Sequence, residues 1–235
     1  MKKILSTAAV LSAMLSSTAF ADECHPDMDK NSQNFIIGYG SLINDQSRER
    51  TNPEANDVYP VEVSNFKRVL GHIKNTTFKM SPLFVTPSKG SHLNAVYYPT
   101  SKKAISATDK RELTYCRYKV DTSDIKPLGL KNIEKGVYWI YAISPDQITE
   151  PTKDIPIVQS YIDLFIVGCM QVQNRYLVKN YVQECLDTTA NWNNNAWIND
   201  RNNARRPMAT QPYAFDVDNI LIKYLGDDYR NHPIE

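Results

Sequence analysis

The sequence predicts an α+β protein in which a mixed or antiparallel sheet, curled into a small barrel, is flanked by helices. Short runs rich in apolar, β-branched and aromatic residues come first along the chain, and two long helical segments follow them. A repeated alternation of strand and helix is absent, which disfavours a doubly wound parallel sheet. Of the 235 residues, 42% are hydrophobic, which is enough for one core. The net charge of +1 lacks the basic excess typical of proteins that bind nucleic acid or membrane surfaces.

The first 21 residues have the pattern of a cleaved secretory signal. Two lysines precede an apolar stretch over residues 4–15, and Ala-Phe-Ala at 19–21 provides a small-x-small cleavage site. The apolar stretch is too short and too interrupted for a permanent membrane span. We therefore expect a bacterial protein that is exported, periplasmic or secreted, with no membrane association after cleavage. Removal of the signal takes away two lysines and no acid, which changes the net charge from +1 to −1.

The remaining chain is predicted as one domain. Residues 22–33 are polar and are expected to be flexible. Residues 34–235 are expected to form a single domain that ends in a helical, Asn-rich extension. Neither an internal repeat nor a linker-like composition indicates a second domain.

The strands are predicted from apolar, β-branched and aromatic runs bounded by turn residues. They cover residues 35–39, 61–72, 83–86, 93–98, 113–120 and 136–143. Residues 44–60 are charged and contain two prolines, so they are predicted as a loop with at most one helical turn.

Helices are predicted over residues 101–111, 156–172 and 176–187. Pro156 favours a helix start, and the apolar residues of the second segment predict that this helix is buried. Residues 191–203 contain seven Asn, a composition typical of a loop. Trp192 and Trp197 within it indicate that the loop packs on the body of the protein.

The cysteines predict one or two disulfides, because their number is even and export leads to an oxidising compartment. Three pairings are open among Cys24, Cys116, Cys169 and Cys185. If residues 169–185 formed one straight helix, their sulfurs would lie roughly 24 Å apart, so pairing those two requires a chain reversal near residues 173–174. The histidines are scattered and no C-x-x-C is present, so no metal site is predicted.

The first candidate for a functional element is Gly-Tyr-Gly-Ser-Leu at 38–42, directly after the first predicted strand. It is not a dinucleotide fingerprint, because Ile43 stands where the third glycine belongs, and it lacks the G-x-S-x-G pattern of a nucleophile elbow. Two glycines around a tyrosine can expose consecutive backbone N–H groups, which bind carboxylates and oxyanions. An ordinary Gly-rich turn is the alternative interpretation.

The second candidate is Glu112, at the start of the strand predicted over 113–120. A carboxylate in that place can project into a cavity and act as a general base. The alternative is a solvated surface acid beside Arg111.

The order of these motifs resembles the γ-glutamylcyclotransferase family in its broad, AIG2-like sense. The loop at 38–42 is followed by Asp-x-x-Glu-x-x-Tyr-x-Arg at 109–117. Pro-Ile-x-x-Ser-Tyr at 156–161, followed by Gly168 and Cys169, is similar to that family's helix entry. The segments 188–192 and 197–201 resemble the tail of its bacterial members. The resemblance extends over residues 35–210.

The resemblance implies a small mixed barrel flanked by helices and an intramolecular reaction that needs no cofactor or metal. The α-amine of a small γ-glutamyl substrate attacks its own γ-carbonyl, which forms 5-oxoproline and releases the attached amine. By the same resemblance, Glu112 moves the proton and Tyr161 lines the pocket. The backbone of the loop formed by Tyr39, Gly40, Ser41 and Leu42 binds the substrate carboxylate. A secreted binding module that keeps the fold and the pocket without turnover is the alternative.

Overall fold

The computed structural model describes residues 24–29, 31–129, 132–192, 195–207 and 213–235. The predicted signal, residues 1–21, lies outside these ranges. Within them, no helix has the length and apolar character needed to cross a membrane.

The described chain contains eleven strands and five α-helices, joined by short 3-10 turns. The strands are β1 (Asn34–Gly38), β2 (Tyr59–Leu70), β3 (His72–Ile73), β4 (Leu83–Thr100), β5 (Cys116–Val120), β6 (Ile125–Pro127), β7 (Val137–Ala142), β8 (Ile148–Thr149), β9 (Ile157–Val158), β10 (Thr189–Ala190) and β11 (Trp197–Ile198). The helices are α1 (Asp45–Glu49), α2 (Lys102–Arg111), α3 (Gln159–Tyr176), α4 (Tyr181–Asp187) and α5 (Ala214–Leu225).

The predicted α+β class is confirmed. The main sheet has the order β10-β2-β4-β1-β7-β5, with β6 paired to β2. β1 is antiparallel to β4 and parallel to β7, so the sheet is mixed. It curls into a half-barrel with helices against it.

The strand β1 lies in the middle of the sheet and is buried on both faces. Ile36 belongs to the core shared with α3, whereas Phe35 and Ile37 belong to the core inside the curled sheet. Side chains alternate across a strand, so a continuous apolar run supplies both cores. The loop that follows β1 is therefore held by a strand that is buried along its whole length.

The prediction of two strands at 83–86 and 93–98 is wrong, because β4 runs continuously over eighteen residues. Gly90 adopts a left-handed conformation with φ of 81° but does not end the strand. Its N–H donates to the side chain of Asn65, which lies at an irregularity in the facing strand β2. A bulge of this kind accommodates extra residues while the strand continues on both sides.

The helical boundaries differ from the predictions where the chain turns. α1 agrees with the single helical turn expected in residues 44–60. The helix predicted over 156–172 begins after the short strand β9 and extends to Tyr176. The next helix starts only at Tyr181, since Leu177 and Asn180, with φ of 52° and 60°, reverse the chain between the two.

The chain reversal at 177–180 allows the disulfide Cys169–Cys185, and the second disulfide is Cys24–Cys116. All four cysteines are thus paired. The N-terminal segment that the sequence predicts as flexible is attached to β5 by the second bridge and by a backbone hydrogen bond of 2.7 Å from Arg117 to Cys24.

The C-terminal extension packs on α3, as the tryptophans predict. Trp192 and Trp197 are buried in the core that also contains the apolar face of α3. The carboxylate of Asp200 accepts hydrogen bonds from the backbone N–H and the hydroxyl of Ser160, both at 2.7 Å. α3 has no side-chain cap of its own, so this acid from the extension supplies the acceptor that its first turn needs.

Candidate active site

A cavity of about 470 Å³ opens between the loop after β1, the end of α2 and the segment that joins β3 to β4. Its volume is in the range of cavities that hold small molecules. The residues that the sequence predicts for the site all line it: Tyr39, Gly40, Ser41, Leu42, Glu112 and Tyr161. Residues more than a hundred positions apart in sequence therefore meet in one place.

Both glycines of the loop are closely packed, the first more tightly than the second. A side chain at position 38 would bring a Cβ atom to 2.8 Å from the Cβ of Leu42, and one at position 40 would approach the hydroxyl of Tyr161 at 3.2 Å. Neither glycine has a positive φ. The loop turns tightly, with Ile43 donating to the carbonyl of Gly40 at 2.9 Å.

The backbone N–H groups of Gly40, Ser41 and Leu42 belong to residues that line the cavity. Of the residues that the structure describes, none accepts a hydrogen bond from them. Consecutive free N–H groups at the edge of a cavity attract a carboxylate, since unmet donors there are costly.

The fully buried Arg68 supports the loop from beneath. Its guanidinium donates to the carbonyl of Tyr39 at 2.8 Å and to further neutral oxygens on β4 and around α4, and it lies 4.9 Å from the ring of Phe165. Burial lowers the pKa of Arg68 to about 10. The phenol of Tyr39 donates to the carbonyl of Tyr141 at 2.7 Å, so Tyr39 is fixed at both its backbone and its side chain.

Glu112 ends α2 and turns the chain towards β5. Its backbone N–H donates to Thr108 at 2.8 Å, and its carbonyl accepts from Tyr115 at 2.9 Å. Residues 113–115, which the sequence predicts as strand, form this turn instead. The Glu112 side chain is 16% exposed. Burial raises the pKa of its carboxyl group, and the nearby cations Arg111 and Arg206 oppose that rise.

Arg111 connects the carboxylate to the loop. Its Nε lies 3.0 Å from Oε1 of Glu112, and its Nη2 donates to the hydroxyl of Ser41 at 2.9 Å. Its Nη1 donates to the carbonyl of Ser47 in α1 and to the hydroxyl of Thr51. One guanidinium thus sets the distance between the acid and the ligand-facing loop.

Asp109 and Arg117, the other two charged positions of the Asp-x-x-Glu-x-x-Tyr-x-Arg motif, form a separate ion pair. Asp109 accepts two hydrogen bonds of 2.8 Å from Nη1 of Arg117 and one of 2.5 Å from the phenol of Tyr141. The pair spans the turn that carries Glu112 and joins it to β7. Its role in the motif is therefore to hold the turn in place.

Tyr161 enters the cavity from the first turn of α3. Its hydroxyl accepts a hydrogen bond of 3.1 Å from the backbone N–H of Leu83, and burial raises its pKa, so it is neutral at physiological pH. The Ser160–Asp200 contacts fix the turn from which it projects. Its position close to Gly40 closes the cavity behind the loop.

Sequence reasoning missed several residues of the cavity. Tyr115 lies within the 109–117 motif, which could have identified it. Arg206 lies within the C-terminal extension, and no pattern in the sequence places it near Glu112. The segment between β3 and β4 contributes further apolar residues, among them Phe78 and Met80. His72 also lines the cavity, and burial lowers its pKa.

Among the described residues, no group of three or more His, Cys, Asp or Glu side chains is placed to hold a metal ion. The chemical resources of the site are one carboxylate of raised pKa, free backbone N–H groups, and two arginines. That set can bind an anionic group and move a proton beside it.

Among solved structures of similar fold, a gamma-glutamyl cyclotransferase superposes with a TM-score of 0.53 at 15% sequence identity, over 81% of this chain and 99% of that chain. An uncharacterized protein from Homo sapiens superposes with a TM-score of 0.50 at 15% identity, over 67% and 88% of the two chains. No family model matches the sequence, and no curated protein matches it. Identities this low show the fold alone: the chain has a γ-glutamylcyclotransferase-like fold.

Proposed function

We propose that the protein is an enzyme of the γ-glutamylcyclotransferase type, which converts a γ-glutamyl compound into 5-oxoproline and a free amine or amino acid. The observation that carries this proposal is the location of Glu112, a carboxyl group of raised pKa, in one cavity with the free N–H groups of residues 40–42. The likeness of the fold to a gamma-glutamyl cyclotransferase supports it.

The glutamyl end of the substrate binds at the charged end of the cavity. Its α-carboxylate accepts hydrogen bonds from the N–H groups of Gly40, Ser41 and Leu42, and Arg206 provides a positive charge. Arg206 lines the cavity and lies close enough to Glu112 to lower the pKa of that acid. Hydrogen bonds from N–H groups to a charged carboxylate are stronger than those between neutral groups.

Glu112 carries the protons of the reaction. It takes a proton from the α-ammonium group, and the resulting amine attacks the γ-carbonyl carbon to form the ring C–N bond. The amide bond to the leaving amine then breaks, and Glu112 returns a proton to that nitrogen. Over the cycle the ring nitrogen loses two protons and the leaving amine gains two, so no co-reactant is required.

The raised pKa of Glu112 suits this exchange, because a base that is too weakly basic cannot accept a proton from an ammonium group. The nucleophile and the electrophile belong to one molecule. The enzyme must mainly hold them in an attack geometry and exclude other conformers, which the loop and the walls of the cavity accomplish.

The test is 5-oxoproline release from a panel of γ-glutamyl dipeptides, with Glu112→Gln as the inactive variant and Glu54→Gln as its control. Glu54 is an exposed acid outside the cavity. Release by the wild type and by Glu54→Gln, but not by Glu112→Gln, supports the proposal. If the folded wild type binds the dipeptides and returns them intact, the protein is a binding module and the proposal is wrong.

We also propose that the protein is exported after cleavage behind Ala21. The two disulfides, which use all four cysteines, support an oxidising compartment. Expression of the full chain in a bacterial host, followed by fractionation and N-terminal sequencing, tests this. A mature protein that starts at Asp22 outside the cytoplasm is expected, and an uncleaved, reduced protein in the cytoplasm would contradict it.

A further inference from the structure

The cavity has two chemically different ends. Its charged residues, among those described, are Arg111, Glu112 and Arg206, and the electrostatic influence of both arginines on Glu112 shows that the three lie together. The rest of the lining combines polar residues, such as those at 75–77, with an apolar wall, which we define by its residues: Ile73, Phe78, Phe84, Leu113 and Tyr115.

The apolar wall begins beside Glu112. Leu113 is the next residue in the chain, and the ring of Tyr115 stacks on that of Phe84 with centroids 5.3 Å apart. Ile73 packs into the same cluster as these two rings. The wall therefore leads from the acid towards the beginning of β3 and β4.

Two members of the wall are open to solvent although they are large and apolar. Phe78 is 57% exposed and Leu113 is 76% exposed. Single exposed apolar residues are common on proteins, but these two border the same cavity and stand next to buried apolar side chains. A ligand that covers them removes apolar surface from water, which favours binding.

None of the five residues of the wall is charged. The stretch 72–84 contains Lys74 and Lys79, and neither is among the described residues that line the cavity. His72 does line it, but burial lowers its pKa and favours the neutral ring. An ionised side chain placed against this wall would lose water and gain no opposite charge.

We infer that the leaving group of the substrate carries an aromatic or branched aliphatic side chain that packs on the apolar wall. This rests on the proposed function, because it takes the glutamyl end to lie at Glu112. The cavity extends from the charged residues to the wall, and the leaving group is the part of the substrate that extends there.

The experiment compares γ-glutamylphenylalanine with γ-glutamylglutamate, which share every charge except that of the side chain. For each substrate we measure kcat/KM for 5-oxoproline release. We also measure, by calorimetry, the Kd for the inactive Glu112→Gln variant. The variants are Phe78→Ala and Leu113→Ser, with Phe215→Ala as the control. Phe215 is 76% exposed and lies outside the cavity.

We expect a preference for the phenylalanine substrate that falls about tenfold in Phe78→Ala and persists in Phe215→Ala. Turnover of both substrates at similar rates, or a preference for glutamate, overturns the inference and leaves the cyclotransferase proposal intact. If neither substrate is turned over but the phenylalanine compound binds more tightly, the cyclotransferase proposal is overturned and the apolar wall is supported as a binding surface. Absent turnover without a binding preference overturns both.

Discussion

Asp109 and Glu112 are acids one helical turn apart at the end of α2, and each has an arginine beside it. Asp109 accepts three hydrogen bonds, from Arg117 and Tyr141, and its cation is buried with a side chain 3% exposed. Among the described residues, the Glu112 carboxylate has one ion-pair partner, Arg111, and burial raises its pKa. Asp109 thus accepts hydrogen bonds on both carboxylate oxygens, whereas Glu112 is buried with fewer donors around it.

The difference separates an acid that holds the fold from one equipped to move a proton. A carboxylate that accepts hydrogen bonds on both oxygens is fixed in position by its donors. A carboxylate that is removed from water and accepts a hydrogen bond from a single donor can more readily bind and release a proton. Perturbed groups of this kind concentrate in functional sites.

The largest expected effect is the loss of activity in Glu112→Gln. Removal of the proton carrier should lower kcat by about 10²- to 10⁴-fold. The same substitution should raise the melting temperature at pH 7. The pKa of Glu112 is raised in the folded state, so its ionisation costs stability above that pKa, and the gain from the neutral amide should disappear as the pH falls towards the usual Glu value.

Thermal melts of Glu112→Gln from acid to neutral pH, with Glu54→Gln as the control, measure this gain. A variant that is inactive and also less stable at pH 7 would contradict the contrast between the two acids, since it would make Glu112 a structural residue.

Asp109→Asn should act in the opposite way. It leaves Arg117 buried without its counter-ion, and because the Asp109 side chain is 24% exposed we expect a loss of about 2 kcal/mol, below the cost for a fully buried pair. The free energy of unfolding in urea measures it. Activity per folded molecule should fall far less than in Glu112→Gln. An unchanged stability with lost activity would place Asp109 in the chemistry.

The sequence predicts the motif that contains Asp109 and Glu112 better than it predicts the backbone geometry around them. The motif at 109–117 contains both acids, and the resemblance assigns Glu112 its function. The sequence does not reveal the turn at 112–115, because Leu113 and Tyr115 are residue types that are typical of a strand. The backbone instead follows the end of α2, where Tyr115 donates to the carbonyl of Glu112.

The other differences between the sequence-based predictions and the structure arise from long-range contacts. Arg206 and Phe78 reach the cavity from segments without a functional pattern, so only the folded chain shows them there. The glycines of the loop were identified as important, but for exposed N–H groups alone. Their close approach to Leu42 and Tyr161 depends on how α3 packs, which a single sequence does not contain.

A smaller effect is expected for Arg111→Gln, which sharpens the electrostatic side of the comparison. Arg111 lowers the pKa of Glu112, so its removal should raise that pKa further. The acid limb of the kcat/KM profile, where Glu112 loses its proton, should then move to higher pH. Arg111→Lys keeps the charge and should leave the limb close to that of the wild type. A limb that moves equally in both variants would exclude the charge as its cause.

The smallest effect is expected for Gly40→Ala, which tests whether the acid and the loop work as one site. The added Cβ atom would approach the hydroxyl of Tyr161 at 3.2 Å and the Cβ of Leu83 at 3.5 Å, so the loop must shift by a few tenths of an ångström. Overpacking of this kind costs about 1 kcal/mol, or a rise of roughly fivefold in KM. Tyr161→Phe removes the obstructing oxygen. In the double variant the rise in KM should therefore be smaller than the product of the two single effects, because the residues are in contact. Strict additivity would mean that the Ala side chain acts on the N–H groups of the loop itself, independently of Tyr161.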